Sequence, residues 1–190
     1  MVNSAHAVRY MDIPIQHTVP AVLEKMNRSR AVEPSRVAAD VLREVVPGIT
    51  LRTTVMTGFP GETEPRFREL MADLKRMQFD HLGAFAYSPE AGTKGAKMRG
   101  RPAAAVARER ERLVMEQQAK IWKLKAKRML GQTYLALVVA PGVARMESQA
   151  PDVDGVVRFD AAAYGNIEVG DFVNVRLVKT QGFDFKGELT

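Results

Sequence analysis

The segment Thr57-Gly58-Phe59-Pro60-Gly61-Glu62-Thr63 carries the sharpest local chemistry in this sequence. Two glycines there let backbone amides approach a ligand closely, and a helix starting just after them would offer its positive N-terminal end. Gly58, Phe59, Gly61 and Glu62 are therefore candidate ligand-binding residues. The same spacing also describes a tight turn with Thr63 as capping residue, because Gly-x-x-Gly alone is a weak pattern.

A second constellation follows from strand alternation. In the segment leading into the glycines, Arg52, Thr54 and Met56 share one face and Leu51, Thr53 and Val55 the other. Near the start of the chain, Tyr10, Asp12, Pro14 and Gln16 oppose Met11, Ile13 and Ile15 in the same way. Polar groups on a buried sheet are costly unless they are paired or face a ligand cavity. Asp12, Gln16, Arg52 and Thr54 are thus candidates for the lining of a polar barrel interior, with an Asp12–Arg52 pair serving structure alone as the alternative reading. His17 is of the residue type suited to acid–base chemistry at neutral pH, or it is a hydrogen-bonding loop residue. No residue is assigned a catalytic role.

Composition narrows the chemistry further. The 190 residues contain no cysteine, which excludes disulfides, thiolate zinc sites and any iron–sulfur cluster held by this chain through thiolates. His6, His17 and His81 lie far apart with no metal-ligand spacing, so no metal site is expected. The ten methionines fall at helical core positions, where gap-filling is their ordinary role. No run approaches the roughly 18 apolar residues of a membrane span, and Met1 to Tyr10 has no signal-peptide pattern, so a soluble cytoplasmic protein is expected. The formal charge of +6 is uneven: residues 131–190 hold 5 Lys/Arg against 8 Asp/Glu, and the remainder 23 against 14. Such asymmetry points to an anionic partner for the front part.

The elements that would position these residues alternate. Tyr10–Gln16 reads as a strand, Ala21–Arg28 as a short helix, and Val37, Val41, Leu42 and Val45 recur at helical spacing, with Pro34 in the first turn and Pro47-Gly48 as the stop. Ile49–Thr57 is strand-like. Phe67, Leu70, Met71 and Leu74 mark one face of a helix with Pro65 in its first turn, and His81–Tyr87 is a third strand. This order describes β/α units with a parallel sheet, left unfinished at three strands. After a Gly-, Lys- and Arg-rich loop from Glu90 to Arg101, a long basic helix runs from about Pro102 to Leu130. Thr133–Val139, Gly155–Phe159, Phe172–Lys179 and Phe183–Leu189 are short β segments separated by turns, fitting a small antiparallel OB-like barrel. The predicted domains are 1–130 and 131–190.

Tyr10-Met11-Asp12-Ile13-Pro14-Ile15-Gln16-His17 and the following Val22-Leu23-Glu24-Lys25-Met26-Asn27-Arg28 resemble the fourth barrel strand and next helix of the radical S-adenosylmethionine (SAM) methylthiotransferases. Leu51-Arg52-Thr53-Thr54 with Gly58-Phe59-Pro60-Gly61-Glu62-Thr63 is similar to their fifth strand and SAM-contacting loop, and Tyr87-Ser88-Pro89-Glu90-Ala91-Gly92-Thr93 to their sixth. Asp154-Gly155-Val156-Val157 and Gly170-Asp171-Phe172-Val173 resemble the TRAM domain that ends these enzymes.

The resemblance implies an α/β partial barrel, the C-terminal half of a radical SAM β/α barrel, followed by a TRAM barrel. It implies SAM as cofactor, bound by Asp12, Gln16, Arg52, Thr54, Gly58, Phe59, Gly61 and Glu62. The full-length family enzyme also uses two 4Fe-4S clusters, none of which this chain would bind, since the three-cysteine motif is missing. The Asp-Ile-Pro-Ile-Gln-His form is similar to the branch that methylthiolates an aspartate of a small-subunit ribosomal protein; a fragment of the branch acting on transfer RNA adenosine, or a non-catalytic ribosome- or RNA-binding module, are the alternatives. Expected partners are the ribosomal protein, through the acidic TRAM barrel, and the missing N-terminal half of the enzyme.

Overall fold

The computed structural model describes residues 7–28 and 32–190; His6 lies outside them. The described residues form two compact units, one of residues 11–121 and one of residues 122–190 with residues 7–10. The division falls between Ile121 and Trp122, inside a helix, whereas the sequence pattern placed it at 130/131.

In the first unit β1 (Tyr10–Asp12), α1 (Pro20–Lys25), α2 (Val32–Val45), β2 (Thr50–Thr57), α3 (Glu64–Met77), β3 (His81–Ala86) and α4 (Lys94–Lys97) lead into α5 (Ala104–Met129). The strands lie in the order β1-β2-β3, and β2 pairs parallel with β3, Arg52 opposite His81 and Thr54 opposite Gly83. Strand β1 is shorter than the predicted Tyr10–Gln16, because Pro14 has no N–H to give to a ladder. Thr53 fills the gap: its hydroxyl donates to the Ile13 carbonyl at 2.7 Å and accepts from the Ile15 amide at 3.4 Å. Pairing resumes at Gln16, whose N–H reaches the Thr54 carbonyl and whose carbonyl accepts from Met56. Gln16 does so at φ 65°, left-handed backbone that a non-glycine residue rarely adopts.

Helices cover one face of this sheet. Ile15, Leu51, Val55 and Leu82 meet Phe67, Leu70, Leu74 and Met77 of α3, Ala39 of α2 and Val114 of α5 in one core. The predicted stripe of α2 is met only in part. Val37, Val41 and Val45 are exposed, while Leu42 of that set joins Ala39 and Val46 in the core contacts. Both faces repeat at helical spacing, so period alone does not say which one turns inward. Thr63 precedes α3 as its N-cap residue but makes no side-chain capping bond. At the other end of α3, Arg43 donates to the Met77 and Gln78 carbonyls at 2.7 Å each.

In the second unit β4 (Thr133–Ala140), β5 (Val143–Met146), β6 (Val157–Arg158), β7 (Phe172–Gln181) and β8 (Asp184–Leu189) close into a barrel in the order β4-β5-β6-β8-β7. Pro141-Gly142 is a hairpin turn to β5, a strand not predicted, and β6 and β8 run parallel, so the barrel is not wholly antiparallel. The expected alternation in β7 holds: Val173, Val175 and Leu177 point inward, Asn174, Arg176 and Val178 outward. A Cβ on Gly187 would collide with Val175, so this strand crossing requires a residue without a side chain. Trp122, Ala126 and Met129 of α5 complete the core, with Trp122 edge-on to Phe183 at 5.2 Å.

Leu177→Ala should therefore destabilise the barrel by about 2–5 kcal/mol, whereas Leu135→Ala, on its outer face, should change stability by less than about 0.5 kcal/mol. Urea unfolding followed through Trp122, the chain's single tryptophan, reads this barrel directly. Equal losses in the two variants would mean that the inward face is misassigned.

Candidate functional site

The sheet face away from the helices is the first candidate surface. Asp12 from β1, Arg52, Thr54 and Met56 from β2, and His81, Gly83 and Phe85 from β3 share it by alternation and register. Arg52 Nη1 donates to Asp12 Oδ2 at 2.6 Å and reaches Thr54 Oγ1 at 3.4 Å. Asp12 remains 43% exposed in this pair and Arg52 16%, so the pair itself is open to solvent. Gly83 keeps the surface low, since a Cβ there would stand 3.6 Å from Arg52 Nη2. Gln16 follows at the C-terminal end of the same edge, half-buried. The structure thus brings Arg52 into contact with both Asp12 and Thr54, with Gln16 next along the chain.

Gly58, Phe59, Gly61 and Glu62 lie where β2 ends, but they form a buried turn. Both glycines have positive φ, 76° and 94°. A Cβ on Gly58 would strike Ala107 of α5, and one on Gly61 would come within 2.6 Å of Lys25 Nζ. Packing within the chain and left-handed backbone therefore account for both glycines, and Gly61→Val would strain the fold together with any binding. The amides are engaged as well. Gly58 N–H donates to Glu62 Oε2 at 3.0 Å, Gly61 N–H to the Gly100 carbonyl at 2.9 Å, and Glu62 N–H to the Phe59 carbonyl at 2.9 Å.

Glu62 is the hub of this turn, with its side chain wholly inside the protein. Arg110 of α5 donates to Glu62 Oε1 at 2.8 Å and to its carbonyl at 2.9 Å, and reaches Glu64 Oε2 at 3.2 Å. Its guanidinium also lies over the Phe67 ring, 5.1 Å from the centroid. His17, equally buried, places Nε2 3.5 Å from Glu62 Oε2, while its Nδ1 accepts from the Val19 amide at 3.0 Å. An accepting Nδ1 carries no proton, so the neutral ring holds its proton on Nε2, toward the carboxylate. Helix α5 grips the sheet at further points: Thr57 donates to the Ala107 carbonyl, Glu111 accepts from the Ala86 amide, and Gln118 donates to the Phe79 and Asp80 carbonyls.

Sequence reading missed Arg110 and Glu111. Arg110 lies among other cations on a helix that reads as solvated, 48 residues from its partner, and no local signal distinguishes it. Arg112, close by, illustrates the solvated kind, held by Glu109 and Glu116 on the exposed side of α5. Glu64, where Arg110 emerges, is held below the usual glutamate range, first by the Arg110 hydrogen bond and then by that from Arg68.

Arg110→Met should cost about 3–5 kcal/mol, because it strands a buried carboxylate, and adding Glu62→Leu should restore much of the loss. Urea unfolding of the single and double variants measures both, and a double variant no better than the single would sink the pairing. At Glu64, Arg68→Met should move the carboxyl midpoint in carbon-detected NMR upward, part of the way to the ordinary value. The sign is that of a depressed acid: the stabilisation is present above the unfolded-state value and is lost as pH falls through the lower folded one.

Comparison with known proteins adds to this geometry. Residues 131–190 match the family model of the TRAM domain. Over its whole length the chain is 38% identical to a protein of Desulfitobacterium hafniense named ribosomal protein uS12 methylthiotransferase RimO, of which it covers 43%. Bearers of the same name from Geobacter sulfurreducens and Cupriavidus metallidurans are 38% and 35% identical, over 98% and 100% of this chain and 43% of each relative. The chain spans less than half the length of the curated relatives it matches. Over its whole length the chain is thus similar in sequence to part of the ribosomal protein uS12 methylthiotransferases, and its residues 131–190 match the TRAM domain.

Proposed function

We propose that this chain supplies part of the SAM-binding barrel and the substrate-recognition barrel of an enzyme that adds a methylthio group to the β-carbon of an aspartate in a small-subunit ribosomal protein. The observation that carries the reading is the match over the whole of this chain to part of the uS12 methylthiotransferases, joined to a sheet that packs α2, α3 and α5 against one face and carries the part-exposed Asp12–Arg52 pair on the other. Such a division suits the C-terminal half of a β/α barrel, since helices ring the outside of a barrel and side chains fill its interior. A cytoplasmic location goes with a ribosomal substrate.

The residues on the open face suit SAM. A ligand with an ammonium, a carboxylate and ribose hydroxyls needs acceptors and donors of several kinds, and Asp12, Arg52, Thr54 and Gln16 offer a carboxylate, a guanidinium, a hydroxyl and an amide. When bound with its cluster, SAM would supply the radical chemistry and the methyl group; this chain's residues would hold and orient it and keep water out. Gly58, Phe59, Gly61 and Glu62 would act behind that surface, as the turn that fixes the end of β2. The chain does not fit the 4Fe-4S clusters, because it has no cysteine; residues of the relatives beyond the matched part would hold them. The acidic excess of residues 131–190 favours a basic ribosomal protein as partner of the TRAM barrel over transfer RNA, whose phosphates it would repel.

The test is co-expression with a polypeptide equivalent to the remainder of a relative, anaerobic cluster reconstitution, and mass spectrometry of the ribosomal protein after incubation with SAM. Gain of one methylthio group on an aspartate is expected. Arg52→Met should weaken SAM binding in that complex at least tenfold, about 1.4 kcal/mol, in calorimetry. Modification of transfer RNA adenosine with the protein left unmodified would replace this reading by the alternative branch.

A further inference from the structure

We propose that the loop from Lys94 to Arg101, together with Lys25 of α1, is a docking surface for the phosphodiester backbone of RNA. Four cations of α3 and α5 are matched by acids: Arg68 by Glu64, Arg76 by Asp40, Arg110 by Glu62 and Glu64, Arg112 by Glu109 and Glu116. Lys25, Lys94, Lys97, Arg99 and Arg101 are drawn together by the fold without such acids. All five side chains are exposed, and among the described residues none of them makes an ion pair. Between Pro89 and Arg101 the sequence offers a single acid, Glu90, against four cations.

The fold brings these charges together. Gly61 lies between Lys25 and the loop: its N–H bonds the Gly100 carbonyl at 2.9 Å, and a Cβ on it would come within 2.6 Å of Lys25 Nζ. Met98 anchors the loop from beneath, packed with Val19, Val22 and Phe59, and Thr93 caps the short α4 by accepting from the Ala96 amide at 3.2 Å. A fixed loop carrying unneutralised charges outward is a surface with positive potential of its own.

The chemistry selects among anions. A single phosphate wants donors converging on one point, whereas these side chains spread along eight residues and around a neighbouring helix end. A membrane surface wants large apolar side chains beside the cations, and Met98, the segment's large apolar residue, is turned into the core. A chain of phosphates, each meeting one cation, fits the spread. The proposal goes beyond the methylthiotransferase reading and does not need it, because binding is measured with neither SAM nor cluster.

Fluorescence anisotropy of the full chain with a fluorescein-labelled RNA hairpin, titrated with salt, tests it. The variant Lys94→Ala/Lys97→Ala/Arg99→Ala/Arg101→Ala should bind at least about tenfold more weakly at low salt, and its log–log salt slope should be shallower by roughly 3, at about 0.7–0.9 for each phosphate that the variant leaves without a cation. The matched variant Lys120→Ala/Lys123→Ala/Lys127→Ala/Arg128→Ala removes the same charge from α5 and should change affinity by less than about twofold if the site is local. If the loop variant melts early in circular dichroism, Lys97→Glu and Arg99→Glu singly carry the same expectation of weaker binding. Equal weakening by both quadruple variants, no RNA binding at low salt, or equally tight binding to phosphatidylserine vesicles would each overturn the proposal.

Discussion

A carboxylate taken out of water costs several kcal/mol unless donors surround it, and the first unit is arranged around one such group. Glu62 receives Arg110 on one oxygen and the Gly58 amide on the other, with the His17 ring nearby. Each partner comes from a different place: α5, the end of β2, and the segment after β1. Fixing the carboxylate therefore fixes those three pieces against one another. The glycines of the turn follow from the same demand. For Glu62 to fold back onto the Gly58 amide, the chain must pass through left-handed backbone at 58 and 61, and Ala107 must come close enough that no Cβ fits at 58.

That constraint also explains what was legible in the sequence. The alternation of Leu51, Thr53 and Val55 against Arg52, Thr54 and Met56 is a local property of one strand, so it gave the buried and open faces of β2 directly. The inward face of β7 was readable for the same reason. The turn was recognisable as a place where backbone must come close to something. What it approaches was not, because Ala107 and Arg110 lie about fifty residues on, in a helix whose other cations are solvated. Likewise Pro14 was visible as an anomaly in β1, but its remedy, the Thr53 hydroxyl bridging Ile13 and Ile15, depends on the register between two strands.

In the barrel unit the illegible parts were geometric. Val143–Met146 is short and follows Pro-Gly, and only the hairpin register, Leu137 opposite Arg145 and Val138 opposite Ala144, makes it a strand. A barrel of about sixty residues buries little on its own. Trp122 of α5 meets part of that deficit by covering Phe183 and Phe185. This is why the compact unit begins inside α5, before the first β residue: its core is incomplete without the last turns of the helix.

The open face of the sheet raises the opposite question, how a polar surface prepared for a ligand stays stable without one. Arg52 and Asp12 answer it by pairing with each other. Since Asp12 keeps 43% of its exposure, the pair is of the kind that contributes about 0–1 kcal/mol. It satisfies both charges while the face is wet, yet exchanging it for contacts to an incoming molecule costs almost nothing. A fully buried pair such as Glu62–Arg110 could not be exchanged in this way, because separating it would leave a charge stranded. These two ion pairs thus divide between them what a binding surface requires: one is too deep to break and holds the frame, and the other is shallow enough to give way.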